Sequence, residues 1–375
     1  MKRLLTGLAC LLFIALGGGP AWADSDRDRD DASDRDAAKL FVTLPEGVRY
    51  PEGITANPAN GDIFVSTFDA PSPTNPDPRN KLLRFNRHGK LEAVRDFGTD
   101  PLLGLEFDRV HNKVYITNVG DFSGTGSRIQ RIAANFNSST VPEFVADIPS
   151  IGAPDDRIVG NPDTSEDKIQ FGDFARVPNA LAFDRHGNLY VSDSFQGAIF
   201  MIESPRACGT APKPACKIQS LVHDPLLATA GFPPFGANGL AFDTDESVLF
   251  VANTGDDRIL KVNMASKKVS EFAQSINGAD GIAFDRHGLL WVCANQNDEV
   301  VALNQNGRVV RRMGDFQGIR RDGSPRGLLF PASVVIVGDE LFVTNLALPL
   351  TPTVGDETEE GVTRFTVSRI KLPHH

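Results

Sequence analysis

The sequence predicts an all-β chain, a six-bladed β-propeller of four-stranded antiparallel blades closed by strand exchange between the N- and C-terminal ends. Three observations predict it. Six segments align on one template: a short apolar strand, a polar turn such as Asp-Arg-His-Gly, then a second strand of alternating or β-branched apolar residues, which is a hairpin pattern. They occupy residues 51–68, 102–119, 178–194, 237–254, 279–295 and 331–346. The first, third, fourth and fifth are each followed by two more strand-like runs, for example RILKVN and KVSEFA after the fourth, so the repeating unit is a four-stranded blade. The sixth has one such successor, at 363–372, and the strand it lacks is available at 39–44. An open seam would expose unpaired strand edges, so the two ends are expected to share a sheet.

Composition agrees with a packed single domain. The chain has 375 residues, 41% of them hydrophobic, with 34 Gly and 25 Pro, which excludes a coiled coil, a collagen or a disordered tail protein. Lys and Arg number 38 against 48 Asp and Glu, a net charge of −10 that opposes a sequence-independent grip on nucleic acid phosphate. The expected partner is a small molecule or a cation, not a nucleic acid.

The start of the chain reads as a secretory signal: basic Met1-Lys2-Arg3, an apolar run from Leu4 to Leu16, and a small-x-small site at Ala21-Trp22-Ala23. Gly17, Gly18, Gly19 and Pro20 interrupt the run and leave it too short for a comfortable bilayer span. Cleavage near Ala23, with no retained membrane span, places the mature protein in the periplasm or outside the cell. Residues 24–38 carry seven Asp and three Arg and nothing apolar larger than Ala, so they read as a disordered charged leader. The division expected is therefore a signal peptide at 1–23, the leader at 24–38 and one propeller domain at 39–375. In an oxidising compartment Cys208 and Cys216, which bracket a short Gly/Pro-containing loop, can close a disulfide; the alternative is two free thiols. Cys293, within LLWVCAN, reads as a small buried hydrophobe.

The repeat also locates a site. In a propeller the side chain just before the innermost strand of each blade points at the central channel. Blade by blade this position is Glu52, Leu103, Asn179, Asn238, Asp280 and Ala332. Two carboxylates and two carboxamides converge, an oxygen set suited to a hard cation, above all Ca2+. Zinc favours His or Cys, which this position lacks. Any one of these residues alone reads as a turn former. The shared register across four blades points to a cation site, with Leu103 and Ala332 giving the channel an apolar side.

With those motifs in hand, residues 45–346 resemble the gluconolactonase and regucalcin family, the senescence marker proteins, with diisopropyl fluorophosphatase and paraoxonase as more distant relatives. The motifs are PEG around Glu52, PNALAFDRHGNLYVSDS around Asn179, ANG around Asn238, ADGIAFDRHGLLWV around Asp280 and PASVVIVGDELFVTN. The resemblance implies that Glu52, Asn179, Asn238 and Asp280 hold one catalytic Ca2+ or other divalent cation, and that Asp280 is also general base or nucleophile. It implies hydrolysis of a small-molecule lactone or related ester. Two departures bear on the substrate. Leu102-Leu103-Gly104 stands where sugar lactonases of the family carry Asn-Asp-Gly, and EGITA lacks the aromatic usual after EGP. A leucine facing a sugar hydroxyl leaves it unpaired, so an apolar or aromatic lactone or ester is expected instead.

Further candidates are weaker. The second strands end on Thr67, Asn118, Asp193, Asn253 and Asn345, with Ala294 the exception, read as turn caps around the channel mouth. Leu103, Asp193 and Ser194 are singled out as substrate contacts or supports of the site. His88, His111, His186 and His287 lie in turns, and only His223 precedes a loop able to reach the channel. Asn161, Asp163, Ser165 and Asp167 alternate within the loop 148–177 but lack the Gly and terminal Glu of a calcium hand, so an acidic surface loop is expected there. No Gly-x-Ser-x-Gly elbow supports a serine triad. The alternative to a hydrolase is a non-catalytic NHL-like propeller that binds a protein or small ligand and uses its metal structurally.

Overall fold

The computed structural model describes residues 37–71, 75–121, 125–172, 175–209, 215–351 and 354–373. The signal segment, the leader up to Asp36, and His374 and His375 lie outside the described residues.

The repeat is built as six four-stranded antiparallel sheets. Blade 1 comprises Pro51–Ala56, Ile63–Thr67, Asn80–Phe85 and Leu91–Gly98, and blade 2 comprises Leu102–Asp108, Lys113–Asn118, Arg128–Ala133 and Glu143–Asp147. Blade 3 comprises Pro178–Phe183, Leu189–Asp193, Ala198–Ile202 and Ile218–His223, and blade 4 comprises Ala237–Phe242, Val248–Asn253, Arg258–Asn263 and Val269–Gln274. Blade 5 comprises Ala279–Phe284, Leu290–Ala294, Glu299–Leu303 and Val309–Met313. Blade 6 takes Pro331–Val337, Glu340–Asn345 and Thr366–Lys371 from the C-terminal part and its outer strand, Lys39–Thr43, from the N-terminal part. Lys39 pairs with Arg369 and Thr43 with Thr366, so the closure is the one the strand count predicts. The first strands of successive blades touch one another all the way round, blade 6 against blade 1 included, which makes them the inner ring. Among the described residues no helix is long and apolar enough to cross a membrane.

Two elements go beyond the sequence reading. The outer strands of blade 2, RIQRIA and EFVAD, were not assigned by the template. Within 148–177 a short hairpin pairs Arg157–Gly160 with Glu166–Ile169.

Blades are joined by a repeated aromatic contact. A residue of the second strand packs edge-on against the end of the next blade's first strand: Tyr115 on Phe183, Tyr190 on Phe242 and Phe250 on Phe284, with centroids 5.2, 5.0 and 5.2 Å apart. Edge-to-face pairs of this kind contribute about 0.5–1.5 kcal/mol each beyond the area they bury. The polar turn joins the first and second strands of a blade and is internally satisfied. Asp285 Oδ1 accepts from the His287 and Leu289 amides, and its Oδ2 accepts from Trp291 Nε1 at 2.9 Å.

Near the axis each inner strand carries the same irregularity. In blade 1 Pro51 pairs with Thr67 and Ile54 with Val65, so Glu52 and Gly53 together face Ser66 alone. Equivalent shifts fall in the other five blades at 103–104, 179–180, 238–239, 280–281 and 332–333. An extra residue of this kind is a β-bulge, which bends the strand and re-aims a side chain. Six bulges in phase turn the six predicted positions towards the axis.

A ring of hydroxyls holds the bulges. Ser66 Oγ accepts the Gly53 amide at 3.0 Å and donates to the Leu103 carbonyl of blade 2 at 2.5 Å. Ser192 accepts the Ala180 amide and donates to Asn238 O at 2.7 Å, Thr117 donates to Asn179 O at 2.9 Å, and Thr344 donates to Glu52 O at 2.7 Å. Each hydroxyl thus pins the inner-ring residue of the following blade. Blades pass so closely here that a β-carbon on Gly104 would overlap the Asn179 carbonyl oxygen and the Ala180 Cα. Gly104→Ala is therefore expected to destabilise the fold by about 3 kcal/mol, as forced overpacking does, read as a lowered urea midpoint at unchanged slope.

Candidate functional site

The six bulge residues meet at one end of the channel, beside a cavity whose lining includes Glu52, Leu103, Asn179, Asn238 and Asp280. Ala332 packs with Leu103 in the apolar cluster of the same wall. Glu52 and Asp280 are 4% and 5% exposed, and neither forms an ion pair among the described residues.

Hydrogen bonding fixes which atoms face the cavity. Ser194 Oγ donates its proton to the Ala237 carbonyl at 2.8 Å, so towards Asn179 it can only accept, and it takes Nδ2 at 3.0 Å. Thr254 repeats the arrangement one blade on, donating to Ala279 O at 2.7 Å and accepting from Asn238 Nδ2 at 2.9 Å. A committed hydroxyl proton thereby settles the flip of each carboxamide and leaves its oxygen for a ligand. In blade 5 the same position is Asn295, whose Nδ2 donates to Asp280 Oδ2 at 3.0 Å. Asp280 Oδ1, Glu52 Oε2 and Asn295 Oδ1 are all buried without a hydrogen-bond partner.

Burial dominates the electrostatics. Removal from water pushes the Asp280 carboxyl up to about 7 against the downward pull of Asn295 and Asn238. Burial raises Glu52 well above the carboxylate range, and the neighbouring Asp280 charge adds to it. Cys293 takes the hydroxyl-ring position of blade 5. Burial, then Asp280 and Glu52, push its thiol well up, which makes it a poor nucleophile. Two buried acids without counter-charge, and three unpartnered oxygens, are chemically incomplete. A divalent cation with oxygen preference fits them, since it supplies the missing charge and takes carboxylate and carboxamide oxygens together. Among the described residues no three His, Cys, Asp or Glu side chains come together, so the donor set is a mixed one.

The remaining expectations divide. Leu103 lines the cavity and Ser194 supports Asn179. Asp193 is outside the cavity lining and holds the adjoining turn. Its Oδ1 accepts the Phe195 and Gln196 amides and its Oδ2 accepts Gln196 Nε2, so both oxygens hold the turn. Strand alternation is the reason. The column containing Thr67, Asn118, Asp193, Asn253 and Asn345 faces the turns, while its neighbours on either side face the axis. Asn253, for instance, caps with Nδ2 on the Leu226 and Ala228 carbonyls. Those neighbouring columns supply Ser66, Thr117, Ser192 and Thr344 below, and Ser194, Thr254 and Asn295 above, none but Ser194 singled out from sequence. Reading the columns beside the strand ends would have found them.

His223 is exposed and outside the cavity lining. In the 157–169 hairpin Asp163 Oδ1 accepts the Ser165 amide and hydroxyl, so the alternating oxygens close their own turn. Arg157 Nη1 reaches Asp256 Oδ2 at 2.8 Å and ties the hairpin to blade 4. Cys208 and Cys216 are joined as a disulfide.

The loops between and within blades supply the opposite wall. Pro233 and Phe235 enter from one loop, Leu348 and Leu350 from another, beside Phe68, Phe330 and Leu346. Of the inner-ring positions, those of blades 1, 3, 4 and 5 are polar and those of blades 2 and 6 apolar, and the loop joining blades 3 and 4 adds Pro233 and Phe235 to the apolar lining.

Residues 233–314, which carry Asn238 and Asp280, match the family model of the SMP-30/Gluconolactonase/LRE-like region. No curated protein matches the sequence. Among solved structures, a luciferin-regenerating enzyme aligns at 14% identity and a TM-score of 0.56, covering 88% of this chain and 97% of that one. Regucalcin from Agrobacterium tumefaciens, a calcium-binding protein, aligns at 14% and 0.54, covering 90% and 98%. A virginiamycin B lyase from Staphylococcus aureus aligns at 12% and 0.50, covering 89% and 98%. At such identities the likeness is one of fold. The chain is a six-bladed propeller whose blades 4 and 5 carry an SMP-30/gluconolactonase/LRE-like region.

Proposed function

We propose that this protein is an exported, divalent-cation-dependent hydrolase of lactones or related esters, with Ca2+ as the preferred ion. One observation carries the reading. Two buried carboxyls without counter-charge, together with inward carboxamide oxygens, border the cavity at the end of the channel. The family match over 233–314 supports the reaction class, and the N-terminal sequence supports export.

Glu52, Asn179, Asn238 and Asp280 would hold the cation. When bound, it would supply charge compensation for the two acids and Lewis-acid polarisation of a carbonyl oxygen. The chain's own part lies in positioning and proton transfer. Asn295 anchors Asp280 Oδ2 and leaves Oδ1 as the atom that accepts a proton from an attacking water. Ring opening then returns that proton to the leaving alkoxide, giving a hydroxy acid from a lactone, or an alcohol and an acid from an ester. Ser194 and Thr254 keep the carboxamide oxygens inward throughout.

The test is a chelated preparation titrated with Ca2+ by calorimetry, then assayed on aliphatic and aromatic lactones. One-site binding with calcium-dependent turnover is the expected result. Binding without turnover would move the protein to the ligand-binding propeller reading, and absence of binding would remove the ligand assignment. Thr254→Val, which keeps shape but loses the hydroxyl, is expected to weaken Ca2+ binding about tenfold through loss of Asn238 orientation, read in the same titration.

A further inference from the structure

The cavity discriminates between kinds of lactone and ester, and this inference rests on the hydrolase reading above. We propose that the substrate carries an apolar tail, an alkyl or aryl group of several carbons, and that polyhydroxylated lactones are poor substrates.

The polar half of the cavity has little to offer a sugar. One N–H of each carboxamide is already committed, Asn179 to Ser194, Asn238 to Thr254 and Asn295 to Asp280, and the Thr254 hydroxyl is committed to a backbone carbonyl. The oxygens that remain are those drawn towards a cation. The other half presents hydrocarbon. Phe68, Leu103, Phe330 and Leu346 form its floor, where the first three are almost fully buried with Val119 and Val177 behind them. A hydroxyl set against this surface has no partner, and each one costs about tenfold in affinity.

The apolar surface also leads outward. Phe235 lines the cavity and packs against Phe68 at 6.2 Å and Phe195 at 5.4 Å between centroids. It shares its loop with Pro233, also on the lining, and with Phe232, which is 60% exposed. Leu348 and Leu350 line the same cavity from the loop between the second and third strands of blade 6. An ester group directed at Asp280 therefore has hydrocarbon beside it, from Leu346, Leu348 and Leu350 to Phe68 and Phe235. That arrangement suits an amphipathic molecule with its reactive head at the polar wall and its chain along Phe235.

The experiment uses the full chain loaded with Ca2+ and compares δ-valerolactone, δ-octalactone, δ-decalactone and glucono-δ-lactone. In parallel, calorimetry follows binding of 2-alkyltetrahydropyrans of the same chain lengths, which cannot be hydrolysed. Each methylene buried on the apolar wall is expected to raise kcat/KM and affinity about fourfold. Allowing for partial burial, δ-decalactone should exceed δ-valerolactone on the order of a hundredfold. Phe235→Ala should lose about tenfold on δ-decalactone, more than on δ-valerolactone, and so flatten the series. Hydrolysis with no dependence on chain length, or with glucono-δ-lactone preferred, would overturn the tail while leaving the hydrolase intact. Ethers that bind with the chain-length trend, where no lactone is turned over, would support the apolar recognition and remove the hydrolase. Neither binding nor turnover would remove both.

Discussion

Asp280→Asn is expected to abolish Ca2+ binding and hydrolysis while making the metal-free protein more stable. The side chain is buried, its Oδ1 has no partner, and Glu52 beside it is the same kind of acid. A neutral amide of the same shape removes a desolvated carboxyl and its repulsion, a gain of roughly 1–3 kcal/mol in the absence of metal. Loss of an anionic ligand should lower Ca2+ affinity by about two orders of magnitude or more. Loss of the proton acceptor, at about 10²–10⁴-fold in rate for general-base catalysis, compounds that effect. Three measurements read the outcome: a calorimetric titration, initial rates on a lactone, and a thermal melt in chelator. A variant that keeps its Ca2+ affinity, or melts well below wild type, would show that Asp280 is a structural acid.

The second large effect is on pH dependence. Asp280 sits at about 7 in the folded protein, against about 3.9 for an aspartate in an unfolded chain. The folded carboxyl holds its proton where the unfolded one has lost it. Its contribution to stability is therefore complete below about pH 4 and disappears as pH rises through 7, by about 1.4 kcal/mol per pH unit. Glu52 is displaced in the same direction and adds to the slope. Between pH 5 and 8 Asp280 alone should take on the order of 3 kcal/mol from the metal-free protein. Excess Ca2+ should reverse the trend, because the cation competes with protons for the same oxygens and binds more tightly as pH rises. Urea midpoints at pH 5 and 8, in chelator and in Ca2+, decide the matter. Burial also raises Glu106, to about 8, and Asp193, Asp298 and Glu359, so the share belonging to Asp280 is the difference from Asp280→Asn. Equal midpoints at both pH values in chelator would mean that the acids are already compensated.

The propeller and its ring of oxygens were legible because repetition fixes phase. Once six hairpins align, the residue before each inner strand occupies one geometric position, and Glu52, Asn179, Asn238 and Asp280 follow without reference to distances. The bulges that aim them were not legible. A single residue added to one strand leaves the apolar alternation on either side intact, so periodicity passes over it. The supporting side chains were present in the alignment, but attention fell on the column containing Asp193, and alternation sends that column to the turns. Ser66 and Thr254 lie one residue to either side of the equivalent columns in their own blades. The apolar wall was legible only at Leu103. Phe235, Leu348 and Leu350 come from loops outside the repeat, whose paths no template constrains.

The closure of blade 6 by Lys39–Thr43 bears on how such a molecule comes into being. Blades 1 to 5 are each contiguous in the chain and can form in order as they are made. The strand Lys39–Thr43 cannot: its partner, Thr366–Lys371, is made after all five contiguous blades. An early strand with an apolar stripe must therefore wait, unpaired, while almost everything between is produced, and Glu52 cannot meet Asp280 across a finished ring until that delay ends. A chain cut short before Thr366 has no lasting partner for its first strand and two raw sheet edges at the gap. Ring completion then depends on blade 6 having been made, since the acids that complete the site come together only once its strands are in place.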